Sequence, residues 1–293
     1  MSPRPPVTGL ALYRSTARES SAPVIRRYSS SFGLASSLFP RRCRDRIAAI
    51  YALVRVADEI VDGTAGEAGL PLAEQRRVLD EFEADTERAL ATGFSANLVV
   101  QAYADVARAA GFGTELSRPF FASMRRDLEP VAFDEETLRE YVYGSAEVVG
   151  LMCLRVFTSD GGIRPPDPAL DDAACALGSA FQKVNFLRDL ADDRDRLARD
   201  YLPAFRRLPP EEAKREVVAE IRDELRRARA GIPLLPADCR LAVATATAVF
   251  GELLDRIDAL PAERLLDTRV SVPTRRKLAL LVRERARLAR GRA

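Results

Sequence analysis

The 293-residue sequence contains no His and no Trp, and the missing imidazole removes several kinds of chemistry at once. A Ser-His-Asp or Cys-His nucleophilic relay cannot be built in its usual form. No His is on offer to zinc, to non-haem iron or to haem, and the Glu-x-x-His pattern of di-iron carboxylate bundles is excluded. Any metal must come to carboxylates, amides, water or Cys. Lys is scarce as well: Lys183, Lys214 and Lys277 stand among 45 basic residues, the rest being Arg, a ratio that reads as compositional bias. The Cys are few and far apart (Cys43, Cys153, Cys175 and Cys239), with no CxxC pair. Such spacing predicts buried free thiols in a reducing cytoplasm rather than a disulfide framework or a zinc site. The chain lacks an apolar run of about 18 residues that would span a membrane, and no apolar segment of a secretory signal follows MSPRPPVTG. A cytoplasmic location is therefore expected. Forty-five basic and 43 acidic residues leave a formal charge of +2, which argues against a nucleic-acid partner.

Apolar residues make up 47% of the chain, enough for a sizeable core. Their spacing is helical nearly everywhere, as in Ile47, Ile50, Tyr51, Val54, Ala57, Ile60 and Val61 within Arg41–Val61. The same period predicts helices over Glu74–Ala91, Leu98–Ala110, Leu116–Leu128, Glu135–Phe157, Leu170–Ala191, Glu211–Ala230, Arg240–Leu260 and Thr274–Arg290. Breakers separate them at Gly63–Gly69, Gly111–Gly113, around Pro165 and at Pro209–Pro210. Asp134 followed by two Glu marks a helix start. The expected fold is all-α: a single domain over residues 1–293, with residues 1–20 as an N-terminal extension and the longer helices surrounding a central apolar cavity.

Two segments carry acids where they look out of place. In YALVRVADEIVD (51–62), Asp58 and Asp62 lie four apart, on one face of an otherwise apolar helix, with Arg55 three residues before Asp58. In FQKVNFLRDLADDRDR (181–196), Gln182, Asn185, Asp189 and Asp193 fall at offsets 0, 3, 7 and 11, a stripe of oxygen-bearing side chains beside Arg188. Taken alone, either Asp-x-x-x-Asp reads as a solvated, salt-bridged helix face. Together they are harder to dismiss, because a buried carboxylate pair is costly unless a cation shares it. If the two helices face one another, four carboxylates converge. An all-oxygen site of that kind suits a hard divalent cation, Mg²⁺ or Mn²⁺, completed by substrate phosphate. Arg55 and Arg188 would add forked hydrogen bonds to a diphosphate.

With these motifs the sequence resembles the squalene/phytoene synthase family. The resemblance runs from RRYSSSFGLASSLFPRR (26–42) through IYALVRVADEIVD (50–62) and YVYGSAEVVGLM (141–152) to QKVNFLRDLADDRDRLARDYLP (182–203), with a weaker match in TRVSVPTRRKL (268–278). It implies an isoprenoid-synthase-type bundle that condenses two prenyl diphosphates head to head through a cyclopropylcarbinyl diphosphate. Asp58, Asp62, Asp189 and Asp193 would be the metal carboxylates and catalytic groups, with Tyr141 assisting proton transfer. Ser29, Ser31, Tyr51, Arg55, Gln182, Asn185, Arg188, Tyr201 and Arg269 would bind substrate. Three positions depart from the family pattern: Glu59 for a second Asp, Glu147–Val148 for a small Gly-Thr pair, and Phe250 for a Tyr.

The motif wording is most like that of bacterial carotenoid enzymes, which implies geranylgeranyl diphosphate as substrate and phytoene as product. The alternatives are a squalene or dehydrosqualene synthase acting on farnesyl diphosphate, with NADPH if squalene forms, and a non-catalytic assembly factor of the same family. A head-to-tail elongase or terpene cyclase is disfavoured by the paired DxxxD motifs. From Arg275 to the end the sequence has eight basic residues and one acid, Glu284. Leu278, Leu281, Val282 and Leu288 share roughly one helix face there, which predicts peripheral contact with an anionic membrane. The competing expectation is a solvated terminal helix packed on the bundle.

Overall fold

Proline and a left-handed glycine mark off the helix that carries the first acidic pair. Pro40 stands at its N-cap, and the helix runs Arg41–Val61 until Asp62 caps it and Gly63 turns away at φ 108°. Similar devices bound its neighbours. Asn97 accepts hydrogen bonds from the backbone of Val99 and Val100, Asp134 forms a capping box with Thr137, and Asp167 caps the helix that Pro168 begins.

The computed structural model describes residues 9–28, 36–129, 132–159, 167–190 and 201–290. Its longer helices are α1 (Gly9–Tyr28), α2 (Arg41–Val61), α3 (Leu72–Thr92), α4 (Leu98–Ala110), α5 (Thr114–Arg126), α6 (Glu135–Val142), α7 (Val148–Thr158), α8 (Pro168–Arg188), α9 (Pro210–Gly231), α10 (Arg240–Asp258) and α11 (Thr274–Arg290). No strand occurs among the described residues. The all-α expectation holds, and α2, α4 and α11 begin and end where the apolar period places them.

Three expectations need correction. Residues 9–28 form a helix and not a bare extension: α1 packs on α2 and α4 and buries Ala17, Ser21 and Ile25. The expected helix Glu135–Phe157 is interrupted by a π turn over Tyr143–Glu147, which a 3.6-residue apolar period does not reveal. The oxygen-bearing stripe of 182–193 does not stay on one helix. α8 ends at Arg188, Asp189 is its C-cap, and Asp193 lies outside the described residues.

α8 runs along α9 and touches α7, α10 and the π turn. Close approach depends on glycine. A Cβ on Gly178 would lie 2.6 Å from the Ala146 carbonyl oxygen, and one on Gly150 would lie 2.6 Å from that of Ala174. The α8–α9 seam is polar at one point, where Lys183 Nζ lies 2.6 Å from Glu224 and Ser179 donates to the same carboxylate at 2.7 Å.

Candidate active site

Between α2, α7, α8, α10 and the segment before α11 lies a cavity of about 1080 Å³. Along α8 its lining runs from Leu170 near the helix start to Arg188 at the helix end, about 27 Å at 1.5 Å per residue. The two ends differ in chemistry. Leu170, Leu235 and the stacked rings of Phe39 and Phe157, 4.9 Å apart, make one end apolar. Arg55, Asn185, Arg188 and Arg269 make the other end polar. Between them Phe181 and Phe250 stack at 3.7 Å, so Phe250, which sequence comparison left outside the site, is part of the wall.

At the polar end each acidic motif arrives on a helix terminus. Asp58 is in the last turn of α2, Asp62 caps that helix, and Asp189 caps α8. A carboxylate at a helix C-terminus faces the negative end of the macrodipole, so these positions disfavour anions and favour a cation beside them. Burial and then the neighbouring Asp62 push the Asp58 carboxyl well above the ordinary range, against the pull of Arg55. The Asn185 side-chain oxygen is buried without a hydrogen-bond partner among the described residues, an unmet acceptor at the same end. Carboxylates, an orphan amide oxygen and space for substrate oxygens are the donor set that Mg²⁺ takes. The described residues include no cluster of three or more acids or Cys placed to hold a metal, and the fourth expected ligand, Asp193, lies outside them.

The three arginines are already engaged. Arg188 makes a fork on its neighbour Asp189, with Nε at 2.9 Å. Arg269 Nε reaches the same carboxylate at 3.0 Å. Asp189 is thus compensated by two guanidinium groups. Arg55 lies 3.9 Å from Asp58, but its hydrogen bonds go to Glu59, with Nε at 2.7 Å. The Glu59 that departs from the family pattern is therefore the seat of the Arg55 guanidinium. Burial works against the Glu59 charge, yet Thr64 and Arg55 hold its carboxyl below the ordinary value. Arg55 also lies over the Tyr28 ring at 4.5 Å, a cation–π contact. Neither Tyr28 nor Glu59 was a sequence candidate; adjacency to the SSSF segment and to the acidic pair was the available signal.

Of the remaining candidates, Tyr51 and Gln182 line the cavity. Tyr141 and Tyr201 do not appear on its wall. They are buried in a separate aromatic cluster with Phe133 and Phe186. Ser29 and Ser31 lie outside the described residues. On α11 the expected apolar face divides. Leu280 and Glu284 are buried and Leu288 packs on the core, whereas Leu278 and Val282 are 48% and 67% exposed. No described helix is long and apolar enough to cross a membrane.

The family model for squalene/phytoene synthase matches residues 25–205 and 208–276. The 15-cis-phytoene synthase of Pantoea ananas is 30% identical over 277 residues, 87% of this chain and 86% of that protein. That of Paracoccus sp. is 37% identical over 179 residues, which cover 60% of this chain and 56% of that protein. Among solved structures, a dehydrosqualene synthase in complex with ligand superposes with a TM-score of 0.74 at 24% identity, covering 95% of this chain and 98% of that one. Squalene synthase HpnC from Alicyclobacillus acidocaldarius gives 0.72 at 19%, covering 84% and 94%. At such identities the structural likeness speaks for the fold.

Proposed function

Since the chain belongs to the squalene/phytoene synthase family of prenyltransferases, we propose that it condenses two molecules of geranylgeranyl diphosphate head to head to phytoene. The observation that carries this reading is the two-ended cavity, an apolar tube with aromatic rings at one end and, at the other, arginines of which two hold Asp189. The tube buries prenyl hydrocarbon, and the polar end receives diphosphate.

Asp58, Asp62 and Asp189 with the Asn185 oxygen, joined by Asp193, are the groups that would hold Mg²⁺ or Mn²⁺. The ion, when bound, supplies charge neutralisation for the departing diphosphate. The chain's own residues do the rest. Arg188 and Arg269, both seated on Asp189 at the polar end, would offer forked hydrogen bonds to diphosphate oxygens. Arg55 stays seated on Glu59 and adds positive charge beside the leaving group. The apolar walls keep water from the allylic cations, and the Phe181 and Phe250 faces stabilise positive charge along the tube. Substrate and product are both lipids, and the outward pair Leu278 and Val282, within the Arg-rich α11, gives a surface for peripheral contact with anionic membrane.

The test is direct. Purified protein with geranylgeranyl diphosphate and Mg²⁺ should yield a C40 hydrocarbon without NADPH, and Asp58→Asn or Asp189→Asn should abolish it while the chain stays folded. A C30 product from farnesyl diphosphate alone would replace the substrate assignment, and full turnover by Asp58→Asn would sink the metal assignment. For the membrane contact, Leu278→Glu with Val282→Glu should lower co-sedimentation with phosphatidylserine vesicles; unchanged binding would refute it.

A further inference from the structure

Asp127 follows directly on α5, in the stretch MRRDLEP, within the span Leu116–Leu128 that the apolar period marks as helical. The structure buries it to 8% exposure. Tyr141, from the last turn of α6, places its hydroxyl 2.9 and 2.8 Å from the two Asp127 carboxylate oxygens. Tyr201, from a third segment, donates to the same group at 2.8 Å. The two hydroxyl oxygens are 3.5 Å apart. Phe133 and Phe186 pack around them, with ring centroids 5.4 and 4.3 Å from that of Tyr201. Phe186 follows Asn185 on α8, so the cluster adjoins the polar end of the cavity.

We infer that Asp127 is a positioning residue for the reaction, holding the hydroxyls of Tyr141 and Tyr201 together and fixing both as hydrogen donors to itself. A carboxylate accepts and cannot donate, and each phenol has one hydrogen to give. With both hydrogens committed to Asp127, the lone pairs are what Tyr141 and Tyr201 offer to anything else. This changes the role expected for Tyr141, from assisting proton transfer to presenting an oriented acceptor in the cluster that adjoins the polar end. The enclosing rings exclude water, which strengthens the two charge-assisted hydrogen bonds.

An acid fixed by two phenols within an aromatic enclosure is electrostatic placement of the kind that favours a cation formed nearby. The inference rests on the proposed condensation, and its test separates the two.

The full chain is assayed with geranylgeranyl diphosphate and Mg²⁺, resolving kcat from KM, for wild type, Asp127→Asn, Asp127→Ala, Tyr141→Phe and the Asp127→Asn/Tyr141→Phe double variant. Asn keeps the shape but must donate through its amide to one phenol, reversing that hydrogen bond. We expect Asp127→Asn to lower kcat roughly 10- to 100-fold with KM changed by less than about threefold, as for a misplaced group. The double variant should be no slower than the slower single variant, because both changes remove one arrangement. If the effects multiply, or if Asp127→Asn keeps wild-type kcat and loses only thermal stability, Asp127 is a structural acid and the inference falls. Should Asp127→Ala not fold, the isosteric Asn variant decides. A wild-type chain that makes no hydrocarbon from any prenyl diphosphate overturns the functional reading itself. An active wild type beside an unaffected Asn variant overturns the Asp127 role alone.

Discussion

Asp58 lies where burial and the Asp62 carboxylate both disfavour its charge. Its folded-state proton affinity is raised above that of the unfolded chain, so the folded protein binds more protons in the window above the ordinary value of 3.8. Stability therefore falls as pH rises through that window, the reverse of a salt-bridged acid. Asp58→Asn, which removes the charge, should raise the melting temperature in EDTA at neutral pH. The gain should shrink as pH drops toward the ordinary carboxylate value; a variant less stable than wild type at pH 7 in EDTA would contradict this. Added Mg²⁺ with diphosphate should stabilise wild type more than the variant, since binding to the folded state is linked to its stability. Asp189, by contrast, is paired with two guanidinium groups, those of Arg188 and Arg269. The sequence named both acids and placed an Arg beside each. It did not show that Arg55 is seated on Glu59, or that Asp127 joins two tyrosines lying 14 and 74 residues away.

At the scale of elements, the informative join is the π turn against α8. Gly178 lets the Ala146 carbonyl approach to a distance that no side chain tolerates, and Gly144 does the same against Pro119 and Ser123. Gly178→Ala sets a methyl against backbone, and we expect a loss of about 1–3 kcal/mol with a lower melting temperature. Because the displaced wall faces the cavity, KM for prenyl diphosphate should rise as well. A melting temperature and KM equal to wild type would show that the π turn and α8 separate freely. Helix existence was legible throughout α2–α11, because amphipathic period and capping residues act within a few residues of chain. The π turn was not, since its extra residue is selected by packing against α5 and α8. Helix α1 was missed for a related reason. Its small buried face of Ala17, Ser21 and Ile25 gives a weak periodic signal, and its partners α2 and α4 make it stable.

For the molecule as a whole, the proposed condensation depends on an elongated cavity with unlike ends, and no single segment encodes that. Leu170 and Arg188 belong to one helix, and along α2 the cavity is lined by Phe39 just before the helix and by Arg55 near its close. Phe157→Ala would deepen the apolar end, and acceptance of a longer prenyl diphosphate is the expected gain; an unchanged substrate range would place the length limit elsewhere. By itself the sequence determined the helical class, the family and the arginines of the polar end. Those features rest on local periodicity and on residue types whose spacing survives translation into structure. Tertiary structure alone decided which arginine serves which acid, that Phe250 walls the cavity, that Tyr141 and Tyr201 turn inward to Asp127, and that Leu278 and Val282 face out while Leu288 packs in. Each of these depends on distances between segments far apart in the chain, set by how the helices pack and not by any pattern within one helix.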